Sequence, residues 1–328
     1  MGNIGTIVSV VVPIYNGEKF VDTLISNFTK QSFKNFEVVI VNDGSTDSTK
    51  EILESYKENK FDFSLTIIHQ KNAGVSAARN TGINNAKGKY LCFVDADDVI
   101  SSDYLEILYN AINFGNSGIA VAYMSRKLSD LQNRDQVKIQ QITSTEFLRD
   151  FLYRGIKYTV CACMFDKKCF VERGVYFPEG FKYSEDVYVL WQLFAAEKNI
   201  TVVNCSVYHY YDNPQSAMNK GMDIARLDAI RLMQKLEKIL PNLNSEFAPE
   251  FIKYAVARHH WSILWQAAIK LNNYKEFNEY CKNFEMKKEL KKMLSYPQPK
   301  LSLSSLIYTI SPLLYYHLIR LFVGLTRK

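Results

Sequence analysis

The chain has 328 residues, enough for one large domain or two of ordinary size. Hydrophobic residues make up 47% and charged residues 23%, which excludes a disordered chain. The net charge of +6 suits an anionic partner such as a nucleotide, a phosphate or an acidic membrane surface; it is too small to indicate nucleic acid, and no zinc-finger or RNA-binding signature accompanies it.

Ile7 to Val12 is β-branched and continuous, so it reads as a buried strand ended by Pro13. A Met1-Gly2-x-x-x-Thr6 pattern fits myristoylation, but it runs into this strand and is taken as chance. No charged-then-apolar leader opens the sequence, so a cytoplasmic protein is expected. Glu18 to Lys30 has helical spacing through Phe20, Leu24 and Phe28, and Phe36 to Val41 is a second strand. Ser45-Thr46-Asp47 can cap a helix to about Glu58. Leu65 to His69 is a third strand, Val75 to Ala86 a helix, and Tyr90 to Val94 a fourth strand. Asp103 to Asn113 is helical and Ile119 to Met124 a fifth strand. This βαβ series predicts a mainly parallel sheet flanked by helices.

The pattern then loosens. Thr143-x-x-Glu146 is a capping box for a helix to about Arg154, and Tyr158 to Phe165 is strand-like. Asp186 to Lys198 is a helix with Val187, Leu190, Trp191 and Phe194 as its stripe. Ile200 to Val203 and Val207 to Tyr211 are short strands, and from Met222 onward the pattern is helical. The boundary falls near residue 217, which gives an α/β domain over 1–217, a helical region over 218–300 and a tail over 301–328. Cys92, Cys161, Cys163, Cys169, Cys205 and Cys281 lie mostly in apolar runs and read as reduced core thiols; Cys161-x-Cys163 lacks a second cluster for zinc.

Carboxylates stand at the ends of the apolar strands: Asp43 after the second, and Asp95, Asp97 and Asp98 after the fourth. Ligands of open α/β sheets sit outside the carboxyl ends of the strands. Alternate carboxylates point the same way, and such a pair can share Mg²⁺ or Mn²⁺ with a diphosphate. A solvated acidic turn is the alternative. A calcium loop fails because Ile100 stands where glycine is required. Asp43 reads equally as a helix cap, and Glu185-Asp186 as acids favoured at a helix start. Gly82 to Lys89 lacks P-loop spacing, and no GxGxxG follows the first strand, which argues against a dinucleotide-binding dehydrogenase.

Four motifs in order resemble family 2 glycosyltransferases: Val8-Ser9-Val10-Val11-Val12-Pro13-Ile14-Tyr15-Asn16, Val41-Asn42-Asp43-Gly44-Ser45-Thr46-Asp47, Asn72-Ala73-Gly74-Val75-Ser76-Ala77-Ala78-Arg79-Asn80 and Asp95-Ala96-Asp97-Asp98. Phe177-Pro178-Glu179-Gly180, Glu185-Asp186 and Tyr208-His209-Tyr210 with Ser216 extend the resemblance over roughly two thirds of the chain. It implies a GT-A fold, a UDP-sugar donor and an inverting mechanism. Pro13 and Tyr15 would line the nucleoside pocket, Asp43 would accept from uracil N3–H, and Asn72 and Arg79 would complete the nucleotide site. Asp95 would contact the ribose, Asp97 would bind Mn²⁺ or Mg²⁺ at the diphosphate, and Asp186 would be the general base. Tyr208 to Ser216 would form part of a lid. Tyr211-Asp212 stands where many members carry an arginine, and His209 is either a second metal contact or an ordinary core or surface histidine.

Leu301 to Ile319 contains no Lys, Arg, Asp or Glu but holds five Ser or Thr and Pro312. From Leu313 the pattern is amphipathic: His317, Arg320, Gly324 and Arg327 on one side, Leu314, Leu318, Leu321, Phe322 and Leu325 on the other. With Lys287, Lys288, Lys291 and Lys292 upstream, this reads as an interfacial anchor on an anionic membrane; packing on the protein's own core and a homo-oligomer helix are the alternatives. The expected protein is a cytoplasmic enzyme, peripheral at the inner face of the membrane, acting on a glycan or lipid-linked glycan acceptor. Transfer onto a protein or teichoic-acid-like polymer, or a non-catalytic nucleotide-sugar-binding subunit, are the competing readings.

Overall fold

Strands buried along their whole length account for the continuous apolar runs. β1 (Val8–Ile14) and β2 (Phe36–Asp43) are buried at every position, as a sheet covered on both faces requires. The structure, a computed structural model, describes residues 6–115, 117–153, 158–212 and 221–326. The chain divides into two compact units: Met1–Phe151 with Gly155–Phe181 and Glu185–Asn213, and Leu152–Arg154 with Lys182–Ser184 and Pro214–Lys328. The boundary expected near residue 217 lies outside the described residues.

In the first unit, α1 (Val21–Thr29) follows β1, α2 (Thr49–Ser55) follows β2, and β3 (Ser64–Gln70), α3 (Val75–Asn85) and β4 (Tyr90–Phe93) complete the βαβ series. β1 pairs in parallel with β2 and β4, and β2 with β3. α3 lies so close to the sheet that a Cβ at Gly82 would come within 2.2 Å of the Val11 side chain.

The other half of the sheet contains β5 (Val99–Ile100), β6 (Ile119–Ser125), β7 (Ile139–Thr143), β8 (Cys163–Asp166) and β9 (Asn199–His209). α4 (Tyr104–Phe114), α5 (Ser144–Tyr153), α6 (Lys168–Val171) and α7 (Glu185–Ala196) connect them. The strand order is β3-β2-β1-β4-β8-β6-β9-β5, with β7 on β9. β8 enters antiparallel between β4 and β6, so the sheet is parallel on one side and mixed on the other. The two short strands expected after α7 are one strand, β9, with its register shifts against β6 at Tyr123. The strand expected from Tyr158 starts only at Cys163, after a 3₁₀ turn over Val160–Ala162. The Thr143 hydroxyl accepts from the Glu146 amide, as the capping box requires. All six cysteines are buried and unbridged.

The second unit is helical: α8 (Leu227–Leu243), α9 (Ala248–Lys270), α10 (Tyr274–Lys282), α11 (Met286–Lys292), α12 (Pro299–Ile310) and α13 (Pro312–Thr326). Its core holds Leu232, Met233, Leu236, Phe247, Phe251, Leu264 and Phe277. The uncharged run from Leu301 to Ile319 is therefore two helices. Ser311 and Pro312 separate them, and the Ser311 hydroxyl accepts from the Leu314 amide. Among the described residues no helix is long and apolar enough to cross a membrane. The tail packs on its own unit through Tyr308, Tyr315 and Tyr316, which close around Phe277. The Leu325 side chain and Arg327 lie outside the described residues.

Candidate active site

The carboxyl ends of β1 and β2 are tied to each other and to α3. Pro13 is buried, whereas Tyr15, just past β1, is 52% exposed and presents an aromatic face. Asn16 takes a left-handed backbone (φ 48°); its side chain accepts from the Thr46 amide at 2.8 Å and its own amide donates to Ser45 Oγ at 2.9 Å. Asp43 is buried, but it does not cap the helix that follows it, whose N-cap is Ser48. Its carboxylate instead accepts from the Ala73 amide at 2.9 Å, the Gly74 amide at 2.8 Å and Gln70 Nε2 at 2.7 Å, at the entry to α3. Asn72 Nδ2 donates to the Asp43 carbonyl at 2.8 Å. Gly44 (φ +69°) makes this approach possible, since a Cβ there would lie 2.6 Å from the Asn72 amide nitrogen.

The acidic turn after β4 sorts into different roles. Asp98 turns inward: it accepts from the Tyr208 hydroxyl at 2.6 Å and from the Tyr211 amide at 2.8 Å, and it is 2% exposed. Burial first, then the neighbouring Asp95, lifts its carboxyl to about 8. The Tyr208 hydroxyl also accepts from the Asp95 amide at 3.1 Å, so Asp98 and Tyr208 fasten the end of β9 to the turn. Asp95 and Asp97 remain partly exposed.

Arg79, on the buried side of α3, joins this turn to the start of α7. One guanidinium nitrogen donates to Asp95 at 2.8 Å and the other to Glu185 at 3.0 Å, while the Phe177 ring lies 5.1 Å beneath. Burial disfavours the cation, but Asp95 and Glu185 outweigh it and hold the arginine pKa above its ordinary value. The pair is lopsided, because burial and then Asp186 lift the Glu185 carboxyl to about 7 against the pull of Arg79. Asp186 is partly exposed and accepts from the Val187 amide at 2.7 Å. Burial raises its pKa too, with Arg79 opposing. Ser184, just before this pair, is held at φ 65°, a strained value for a residue with a Cβ, and it sets the turn into α7. Asn80, next to Arg79, brackets the loop at Phe177: it donates to the Phe177 carbonyl and accepts from the Phe177 amide, both at 2.9 Å.

At the end of β9, His209 pairs with Val99, two residues beyond Asp97. Its Nδ1 is buried without a hydrogen-bond partner, an orphan that fits a metal contact. Among the described residues no three His, Cys, Asp or Glu side chains converge to hold an ion by themselves. An oxygen-rich site of one or two protein ligands completed by a diphosphate and water is compatible with that arrangement. Beyond it, Arg126 at the end of β6 lies 5.1 Å from the Tyr210 ring and 3.5 Å from Asp212. A cation from another strand thus accompanies the segment where an arginine was expected but not found. Ser216 lies outside the described residues.

The structure therefore brings Asp43 together with Asn72, Arg79 with Asp95, and His209 to the neighbourhood of Asp97. Sequence reasoning missed Glu185 as the buried partner of Arg79, Asp98 as the clasp of β9, and Arg126. The Val99-Ile100 pair after Asp98 is the one local signal of burial; Glu185, between Ser184 and Asp186, offers none.

A family model described as Glycosyl transferase family 2 matches residues 9–173. Glycosyltransferase GlyA of Streptococcus pneumoniae is 46% identical over 114 residues, 35% of this chain and 16% of that protein. The uncharacterized glycosyltransferase EpsJ of Bacillus subtilis is 30% identical over 216 residues, 64% of this chain and 62% of that protein. The chain thus spans less than two thirds of either relative. Among solved structures, S. aureus TarS 1–349 in complex with UDP-GlcNAc superposes with a TM-score of 0.68 at 22% identity, covering 96% of this chain and 90% of that one. At that identity the likeness is one of fold, and it bears out the expected GT-A architecture.

Proposed function

The chain belongs to glycosyl transferase family 2, and from that premise we propose that it is an inverting, metal-dependent enzyme moving a sugar from a UDP-sugar to a hydroxyl of a cell-surface glycan precursor, soluble or lipid-linked. The observation that carries this reading is the Arg79 bridge. It holds Asp95, at the end of β4, and Glu185, beside Asp186 at the start of α7, on one guanidinium. The acid assigned to the donor and the neighbour of the assigned base thereby share one cation, Arg79 and Glu185 standing 106 residues apart in sequence. The UDP-GlcNAc held by TarS supports the choice of donor.

On this reading Tyr15 stacks on the base and Asp43 accepts from uracil N3–H through the one acceptor site, on Oδ2, that its three donors leave free. Asp95 reaches the ribose, and Asn72 and Arg79 keep Asp43 and Asp95 in place. The acceptor hydroxyl attacks the anomeric carbon from the face opposite UDP. Its proton passes to the Asp186 carboxylate as the new C–O bond forms, and the bond to the diphosphate oxygen breaks with its electron pair leaving on UDP. A positioned base of this kind contributes about 10² to 10⁴ in rate. Asp97, with His209, would hold Mn²⁺ or Mg²⁺, which when bound neutralises charge on the leaving diphosphate. The work is placed at the cytoplasmic face of a membrane, with the C-terminal helices as the attachment.

The test is a thermal-shift screen of nucleotide sugars with Mn²⁺, followed by proton NMR of the product. A UDP-sugar should stabilise the protein, and the product should carry the anomeric configuration opposite to the donor's. Retention of configuration, or stabilisation only by donors with another nucleotide, would overturn the proposal.

A further inference from the structure

The chain's net positive charge lies in its C-terminal part. Residues 214–328 contain 18 Lys and Arg against nine Asp and Glu, whereas residues 1–213 contain 22 against 25. Within the second unit, α12 and α13 invert the usual distribution of side chains. Their inward face is aromatic and hydroxylated, with Tyr308, Tyr315 and Tyr316 buried. Their outward face is aliphatic: Leu303, Leu306, Ile310, Leu314 and Leu321 are between 41% and 72% exposed and recur at helical spacing. Single exposed leucines are ordinary, but exposed aliphatic residues repeated on two successive helices mark an interaction surface.

A cavity of about 390 Å³ borders α12 and the start of α13; its wall includes Lys282, Lys287, Lys288 and one acid, Glu285, together with Tyr308 and Pro312. Lys288 pairs with Glu285 at 3.2 Å; among the described residues neither Lys282 nor Lys287 has an ion-pair partner. Tyr308 and Pro312 belong to the two helices and also line the cavity, so the basic pocket borders α12 and α13, with Tyr308 on the face opposite the leucines.

We propose that α12, α13 and this cavity form a docking site for an anionic phospholipid bilayer. The aliphatic stripe enters the acyl boundary, and the lysine-lined cavity receives an acidic headgroup. This rests on the membrane attachment proposed above and not on the transfer reaction. Charge complementarity selects the occupant. Amphipathic helices with cations at their border lie in the interface of anionic membranes, and neither helix is long enough to cross one. A second copy of the chain is the poorer fit, because a two-fold contact puts the same patch on both sides and brings like lysine clusters together.

The experiment is co-sedimentation of the full-length protein with vesicles of phosphatidylcholine alone or of phosphatidylcholine with phosphatidylglycerol. The protein should bind the anionic vesicles preferentially and release as salt is raised. Lys282→Gln/Lys287→Gln/Lys288→Gln should weaken that binding by about a hundredfold, as three cations at such a surface predict. Leu306→Gln/Ile310→Gln/Leu314→Gln should abolish it while leaving the thermal melt unchanged, because these side chains are outside the core. At matched ionic strength, inorganic phosphate should displace the protein no more than chloride does. The proposal is overturned by a wild-type protein that ignores both vesicles, by lysine-independent binding, by phosphate displacing the protein more than chloride does at equal ionic strength, or by a solution dimer that the stripe variant converts to monomer. Calorimetric UDP binding should be equal in all three proteins; its absence from the wild type would sink the transfer reading and leave the vesicle result standing.

Discussion

Removing the Arg79 cation while keeping its bulk, as Arg79→Met, should destabilise the first unit by about 2 to 4 kcal/mol. Its side chain is 5% exposed, that of Glu185 12% and that of Asp95 34%. Deleting one partner of a buried ion pair costs about 3 to 5 kcal/mol because the other charge is left uncompensated. Asp95 regains water, so its half of the bridge counts as a near-surface pair worth about 0 to 1 kcal/mol. Glu185 has no such escape, but it can protonate, since burial already lifts its carboxyl to about 7. That escape caps the loss and makes it depend on pH. In the wild type the protonated form of Glu185 suits the fold. Its contribution is fully present below the unfolded value of 4.5 and disappears as pH rises through about 7. Without Arg79 only a backbone hydrogen bond opposes the lift, and ionising Glu185 costs more. The stability gap between wild type and Arg79→Met, measured by urea unfolding, should therefore widen from pH 5 to pH 8. Adding Glu185→Gln should recover part of the loss, because no bare charge is then buried. A gap flat in pH, together with additive single and double variants, would refute the bridge as the organising contact.

Asp186→Asn should keep UDP affinity but lower transfer by at least about 10²; because burial raises the Asp186 pKa and the base must be ionised, the acid limb of kcat/KM should lie above the ordinary carboxylate range, and a limb within it would reassign the base. Asp97→Ala should abolish metal-dependent UDP binding, and a variant fully active in EDTA would remove the metal from the mechanism. UDP should bind more tightly than CDP or GDP by about tenfold to a hundredfold, the worth of one hydrogen bond to a charged group; equal calorimetric affinities for UDP and GDP would contradict the Asp43 assignment. Asp43→Asn should also lower stability by about 1 to 3 kcal/mol, since at least one of the Ala73 and Gly74 amides loses a charged acceptor, and an unchanged urea midpoint would argue against that hydrogen-bond set.

The parallel half of the sheet was legible because strands buried on both faces must be continuous runs of Val, Ile and Leu, and their end-loop residues follow at fixed offsets. The mixed half was not. β5 has two residues and β7 is half-buried, so neither carries enough apolar periodicity to stand out, and β8 takes its place in the sheet through pairings remote in sequence. Among the site residues, the positions of Asp43 and Asp95 could be read from the strands that precede them. Side-chain direction could not, and it separates Asp98, turned inward onto Tyr208, from its neighbours Asp95 and Asp97. A long-range partner such as Glu185 for Arg79 leaves no mark on either local segment. Glu37 shows the same limit: a fully buried carboxylate within β2, it accepts from Ser9 Oγ at 2.6 Å and the Lys87 amide at 2.6 Å, where alternation alone would place an acid facing water. In the tail, spacing identified a two-sided helix but assigned no environment to either side; packing on Phe277 put the tyrosines in and the leucines out.

Asp43, Asn72, Gly44 and Asn16 hold the loops at the ends of β1 and β2 through hydrogen bonds and close approaches within the protein. Segments already fixed by their own hydrogen bonds lose little conformational freedom when something binds beside them. On the proposed reading, a nucleotide arriving there meets a seat already hydrogen-bonded, so little of its interaction energy is diverted to ordering the protein. Its association should then show the modest heat-capacity change of a small contact surface, without the large one that accompanies coupled folding. The stabilisation it confers should follow simple mass action, growing with the logarithm of ligand concentration above its dissociation constant.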